Sequence, residues 1–271
     1  MSVRLCSASE LLGLRKSRLT TVFRLAIDSL VYVLIFLSPA RMCSQMLSAT
    51  GPSRHSAPVL VIGFVGGFVH SDDFRHSEVQ LIQELRAAYG NSVDAEIFEN
   101  RQIDEARSFI LNRLGNLSER EKARTRIILF GHSWGGSAVV YLSRDLQRDG
   151  IPVALTIQVD SVRKHGQDDS IIPSNVKAAI NFYQTGAILH GRSKISAGDP
   201  SQTAMLGNFR FQYAKEPAAC RNYPWYNRLL FKGHTSIECD PRVWSQVSTL
   251  IRTQLTPAET ELAALPQGPH P

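Results

Sequence analysis

RIILFGHSWGGSAVV, residues 126–140, runs an uninterrupted apolar stretch into a serine framed by glycines and then into small residues. Ile127, Ile128, Leu129 and Phe130 show no polar alternation, which marks a strand covered on both faces. Gly131-His132-Ser133-Trp134-Gly135 is a Gly-x-Ser-x-Gly pentapeptide. Alone that pattern is a weak signal. Here it stands where a strand meets a helix, the setting in which a strained turn lifts a serine hydroxyl over the sheet edge. The flanking glycines are needed because a Cβ would collide with the neighbouring strand and helix. Gly136, Ser137 and Ala138 then let the helix pack closely.

On either side of this stretch, β-type runs alternate with helix-period segments. Strands are expected at 58–65, 92–99, 126–130, 152–159, 178–184 and 208–213. Val79, Ile82, Leu85 and Tyr89 stripe a helix that ends at Gly90, and Ala106, Phe109, Ile110, Leu114 and Leu117 stripe the next. A further helix spans Gly136 to Leu146. Asp240 caps a last helix whose first turn holds Pro241 and whose buried stripe is Val243, Trp244, Val247, Leu250 and Ile251. Such alternation implies right-handed crossovers and a mostly parallel sheet between two helix layers, an α/β three-layer sandwich.

With the elbow in that setting, the chain over about 57–255 resembles the α/β-hydrolase superfamily of serine esterases, lipases and thioesterases. The resemblance implies an oxyanion hole of two backbone N–H groups. One is that of Trp134, after the nucleophile Ser133; the other lies in GFVGGF (63–68), with Phe68, or Gly67, as donor. It implies a base late in the chain, in a loop before the final helix, where His234 stands. His132 inside the elbow is expected to point away, His165 and His190 follow earlier strands, and His70 and His76 precede the serine, at the pocket mouth or the surface. For the acid, Asp160 ends the strand after the nucleophile helix; Asp199 is the alternative, arriving by a long loop, and Asp168 and Asp169 read as a solvated pair. Tyr223, Trp225, Tyr226 and Phe231 either roof an acyl pocket or pack an irregular loop. The implied activity is hydrolysis of a small-molecule carboxylic ester or thioester through an acyl-enzyme, with no cofactor. An acyltransferase using the same intermediate, or a catalytically silent binding module on this fold, are the alternatives.

Composition bounds the rest. The formal charge is +6, but residues 1–56 carry seven basic against two acidic side chains, leaving the remainder at +1. A nucleic-acid partner is therefore not indicated. In the leader, basic LRKSRLTTVFR precedes apolar LAIDSLVYVLIFL and then SPA, the order of an export signal or an N-terminal membrane anchor over 1–47. This places the domain outside the cytoplasm, with membrane contact through that segment; were the segment a soluble leader, the domain would be cytoplasmic. Residues 48–57 read as a Pro/Gly/Ser linker, 58–255 as the domain and 256–271 as a flexible tail. Of four cysteines, Cys6 and Cys43 belong to the leader. In an oxidising compartment Cys220 and Cys239 would close a loop of about 20 residues, worth roughly 3 kcal/mol; otherwise they are buried thiols. No CxxC pair or HExxH run offers a metal site. The oligomeric state is not legible.

Overall fold

The computed structural model describes residues 58–255; the expected leader, linker and tail, with Cys6 and Cys43, lie outside them. All seven residues of strand β1 (Val59–Val65) are buried, and alternate side chains serve opposite faces. Val59 and Val61 join one apolar cluster, whereas Leu60, Ile62 and Phe64 join the other. This is the physical content of a continuous apolar run: a central strand with no wet face.

The remaining strands are β2 (Asp94–Glu99), β3 (Arg126–His132), β4 (Val153–Val159), β5 (Ile171–Ile172), β6 (Val176–Gln184), β7 (Ser196–Ala197) and β8 (Ala204–Phe211). Six of them form one sheet in the order β2-β1-β3-β4-β6-β8, every neighbouring pair parallel. A separate parallel pair, β5 with β7, was not expected from the sequence pattern. Helices α1 (Ser77–Tyr89), α2 (Ile103–Gly115), α3 (Glu119–Lys122) and α4 (Trp134–Arg148) alternate with the early strands, and α5 (Trp225–Leu230), α6 (Lys232–Glu238) and α7 (Pro241–Leu255) close the domain. Leu81, Ile82 and Leu85 of α1 pack with Val243, Trp244, Val247 and Ile251 of α7 on one face of the sheet. Ala106 and Ile110 of α2 pack with Val139, Val140, Leu142 and Leu146 of α4 on the other. Each large side chain so buried contributes about 1.5–3 kcal/mol relative to exposure, which is what fixes the layers.

Beyond β5, β7 and the four-residue α3, three further elements depart from the sequence expectation. The last strand begins at Ala204 rather than 208 and ends at Phe211. Met205 pairs with Ala179 and Gly207 with Ile180, so Leu206 is an extra residue in an edge strand, and a bulge hides the alternation. The stretch before the final helix, expected to be irregular, folds into α5 and α6, and a disulfide from Cys220 to Cys239 ties the turn ahead of them to the end of α6. The final helix follows its pattern: the Asp240 carboxylate accepts from the Arg242 N–H at 2.9 Å, capping the first turn. Among the described residues no helix is long and apolar enough to cross a membrane.

Candidate active site

Parallel strands present their C-terminal ends on one edge of the sheet, and three of them deliver the site. At the end of β3, Ser133 adopts φ +56°, ψ −124°, the left-handed region that a non-glycine residue occupies only under constraint. The constraint is visible. Ser133 N–H donates to Val159 O at 3.0 Å, and Ser133 O accepts from Gly136 N–H and Val162 N–H at 3.0 and 3.1 Å. A Cβ at Gly135 would sit 2.2 Å from Phe64 O, and one at Gly131 would sit 2.5 Å from the Gly135 backbone. Only glycines permit the strand, turn and helix to approach this closely.

Asp160, at the end of β4, is the second strained residue, with φ +44°. Its side chain is fully buried and heavily partnered. Oδ1 accepts from the N–H groups of Gly191 and Gln184 at 2.9 and 3.2 Å, and Oδ2 accepts from Gln184 Nε2 at 2.9 Å and from His234 Nδ1 at 2.6 Å. Burial alone would raise its pKa. The His234 hydrogen bond and charge, then the Gln184 and Gly191 donors, outweigh burial and hold the carboxyl below the usual range. Because a carboxylate can only accept, His234 Nδ1 carries the proton. Nε2 is then the acceptor, 2.9 Å from Ser133 Oγ. His234 lies on α6, not in the loop expected, because the preceding 20-odd residues turn back as short helices rather than entering directly from a strand.

The parallel sheet order, the elbow at the end of β3 and an imidazole arriving late in the chain now stand together. The fold is that of the α/β-hydrolases. No family model matches the chain, and no curated protein matches its sequence. Among solved structures it is similar to a cutinase-like protein from Cryptococcus sp. at 13% identity, covering 73% of this chain and 95% of that one, TM-score 0.40. Human thioesterase 2 is similar at 12% identity, covering 78% and 99%, TM-score 0.40. An acetyl xylan esterase is similar at 11% identity, covering 73% and 98%, TM-score 0.35.

In this α/β-hydrolase fold the loop after β1 reaches the serine: a Cβ on Gly66 would lie 2.9 Å from Ser133 Cβ. Asn100 Nδ2 donates to Gly67 O at 2.5 Å. In a trans peptide the carbonyl and the following N–H point in opposite directions, so the Phe68 N–H projects away from Asn100. The Phe68 and Trp134 rings meet edge to face at 5.4 Å. With Val162, Leu189, Pro224 and Phe231 they line a cavity of about 540 Å³ over Ser133 and His234.

Other sequence candidates fall elsewhere. Asp199 sits in a surface turn, its carboxylate accepting from Ser201 N–H and Oγ at 2.9 and 2.7 Å, with no contact to His234. Asp168 is exposed, but Asp169 is fully buried, correcting the expectation of a solvated pair: it accepts from Ser161 Oγ at 2.6 Å and from Arg192 Nε at 2.7 Å. Of the aromatics, Phe231 lines the cavity and Trp225 is exposed, whereas Tyr223 packs with the disulfide and against His76 rather than roofing the site. His70 is exposed and pairs with Glu99.

His132 does not simply point away. It is buried, and its ring stacks on that of His234 with centroids 4.5 Å apart. Behind it lie His76, Glu78 and Glu238, all buried. His76 Nδ1 bonds Glu238 Oε1, and His132 Nδ1 lies 3.7 Å from Glu78 Oε1 and 3.6 Å from Glu238 Oε2. Burial, then the Glu238 charge, pushes Glu78 up to about 8. Burial lowers His132 to about 4. Burial also works against the His76 cation, but Glu238, Glu78 and Asp73 outweigh it and raise His76 to about 9. No sequence motif joins these four residues, and none marks Gln184, Gly191 or Asn100. The one available signal was Glu238 four residues after His234, one helical turn, legible only once α6 is known to be a helix.

Proposed function

We propose that this protein is a serine hydrolase that cleaves carboxylic ester or thioester bonds through an acyl-enzyme. The observation that carries the reading is the continuous chain from Ser133 Oγ through His234 to Asp160, at 2.9 and 2.6 Å, closed off from water on the Asp160 side. His234 Nε2 takes the hydroxyl proton as Ser133 Oγ attacks the acyl carbon, and Asp160 orients the imidazole and stabilises its cation. The tetrahedral oxyanion is held by the N–H groups of Trp134 and Phe68, each worth about 3 kcal/mol in the transition state, with Asn100 fixing the Phe68 peptide. On collapse, the imidazolium delivers its proton to the departing alkoxide or thiolate. Water, deprotonated by the same nitrogen, then attacks the acyl-enzyme and releases the acid. The apolar wall of Phe68, Trp134, Val162, Leu189 and Phe231 suits an aliphatic or aromatic acyl group rather than a charged one.

A fluorophosphonate probe tests this directly. Covalent labelling of the folded protein, lost in Ser133→Ala, is the expected result. A folded protein that resists labelling and releases no acid from a panel of esters and thioesters would leave a binding module in its place.

A further inference from the structure

The four side chains behind His234 pose a charge problem that the active-site chemistry does not solve. Two carboxylates, Glu78 and Glu238, are 0% and 7% exposed, and two imidazoles, His76 and His132, are 5% and 2% exposed. His76 partners Glu238. Neither oxygen of Glu78 receives a hydrogen bond of ordinary geometry, although the N–H groups of Gly66 and of Glu78 itself approach it. Nε2 of His132 is likewise unpartnered. A buried carboxylate without donors costs several kcal/mol and demands either a proton or a cation.

We infer that His76, Glu78 and Glu238 form a site for one divalent transition-metal cation, with zinc the best fit and His132 Nδ1 placed to complete it. One ligand atom from each of the first three lies within 4.8 Å of the other two. A tetrahedral ion with bonds near 2.1 Å sets its ligands about 3.4 Å apart. The 3.6 and 3.7 Å separations from His132 Nδ1 to the two glutamates are already close to that edge. The His76–Glu238 contact is tighter and would open as the ion replaces the proton between them. Two carboxylates neutralise a dication, so the loaded site carries no net charge and does not oppose the imidazolium that His234 must become.

The donor set selects the ion. Two imidazoles and two carboxylates suit zinc or a neighbouring first-row metal, while calcium and magnesium need six or more oxygens. A supporting shell exists: Asp73 Oδ2 lies 3.7 Å from His76 Nε2, the nitrogen turned away from the ion, and the Tyr223 ring fixes the imidazole edge-on at 5.1 Å. An entry path exists as well, since His76, His132 and Glu238 form part of the floor of the 540 Å³ cavity. The ion would be held at the Nδ1 edge of His132, in the plane of a ring whose face stacks on His234, and its role is to hold α1, the elbow and α6 together.

The test uses the untagged full-length chain, dialysed against excess Zn²⁺, passed through gel filtration and analysed for metal. About one zinc per chain is expected, with a melting temperature that rises on loading and falls on chelation. Glu78→Gln and His76→Ala should each weaken binding by at least about 100-fold, while Ser133→Ala binds as the parent does. Should the variants fold poorly, Co²⁺ loading of the parent decides, because tetrahedral nitrogen–oxygen coordination gives intense visible bands. A parent chain that retains no zinc and shows no thermal shift overturns the inference. So does zinc that stays bound in both variants, or a Co²⁺ spectrum of octahedral type. None of these readouts uses enzymatic activity, so the serine-hydrolase reading stands or falls separately.

Discussion

Two histidine–carboxylate groups lie back to back beneath one cavity, joined by the stacked rings of His132 and His234. Asp160 and Glu78 are equally inaccessible, yet their environments diverge. Asp160 accepts four hydrogen bonds and is held ionised; Glu78 accepts none of good geometry and is driven toward its neutral form. Depth therefore does not set the state of a carboxylate in this protein. The donors and charges around it do. On one side the backbone of Gly191 and Gln184 satisfies the acid; on the other, both oxygens of Glu78 stay without a hydrogen-bond donor of good geometry.

The largest effects fall on the satisfied side. Ser133→Ala removes the proposed nucleophile, and turnover of any ester substrate should drop on the order of 10⁶-fold while the melting temperature is kept. Asp160→Asn leaves an amide where His234 needs an acceptor, turning the imidazole to the wrong tautomer; a loss of about 10⁴-fold is expected. If Asp160→Asn retains parental turnover, Asp160 does not orient His234 and the four donors serve only the fold.

The disulfide comes next and acts on stability rather than rate. Cys220 and Cys239, 19 residues apart, pin the excursion that carries α5 and α6. Cys220→Ser together with Cys239→Ser should cost about 3 kcal/mol in urea unfolding, most of it through a freer unfolded chain. His234 and Glu238 both ride on α6, so local loosening should appear in amide exchange there before it appears at β3.

A smaller effect separates donor from donor. Gln184→Leu deletes the Nε2 bond to Asp160 but keeps the backbone N–H bond, and one lost charge-assisted hydrogen bond corresponds to a 10- to 100-fold fall in turnover. It also changes the acid limb of stability. The Asp160 pKa is depressed in the folded protein, so its contribution is full above the unfolded value of about 3.9 and is lost as pH falls through the lower folded value. In Gln184→Leu the folded pKa rises toward the unfolded one. Urea midpoints measured from pH 6 downward should then fall less steeply between pH 4 and the folded value than in the parent.

How much of this was legible in sequence follows the same physics. β1, β3 and β4 were plain because both faces are buried and nothing polar interrupts them. The elbow around Ser133 is marked by glycines at fixed spacing, whereas Asp160 is marked only by ending a strand, which left Asp199 open as an alternative. β8 was misplaced by a bulge at a half-exposed edge, and α5 and α6 were hidden because short helices pinned by a disulfide need no strong amphipathic stripe. The second cluster was invisible for a different reason. Glu78 in the first turn of a helix looks like an ordinary favourable acid at a helix N-terminus, and its partners His132 and Glu238 are distant in the chain. Only the packing of α1 and α6 against the elbow turns four scattered polar residues into one site.

The smallest expected effect is the control that fixes the meaning of the others. Asp199 also accepts two hydrogen bonds, from Ser201 N–H and Oγ, and these lower its pKa as the donors around Asp160 lower that one. The two aspartates differ in what lies around those bonds. Water surrounds the Asp199 turn, so any donor removed there is replaced at once, and a carboxylate converted to an amide meets no penalty. Asp199→Asn should leave turnover within about twofold of the parent and the melting temperature indistinguishable from it. A fall in turnover as large as that expected for Asp160→Asn would mean that Asp199 reaches His234 in the working enzyme, and the assignment of the orienting acid would pass to it.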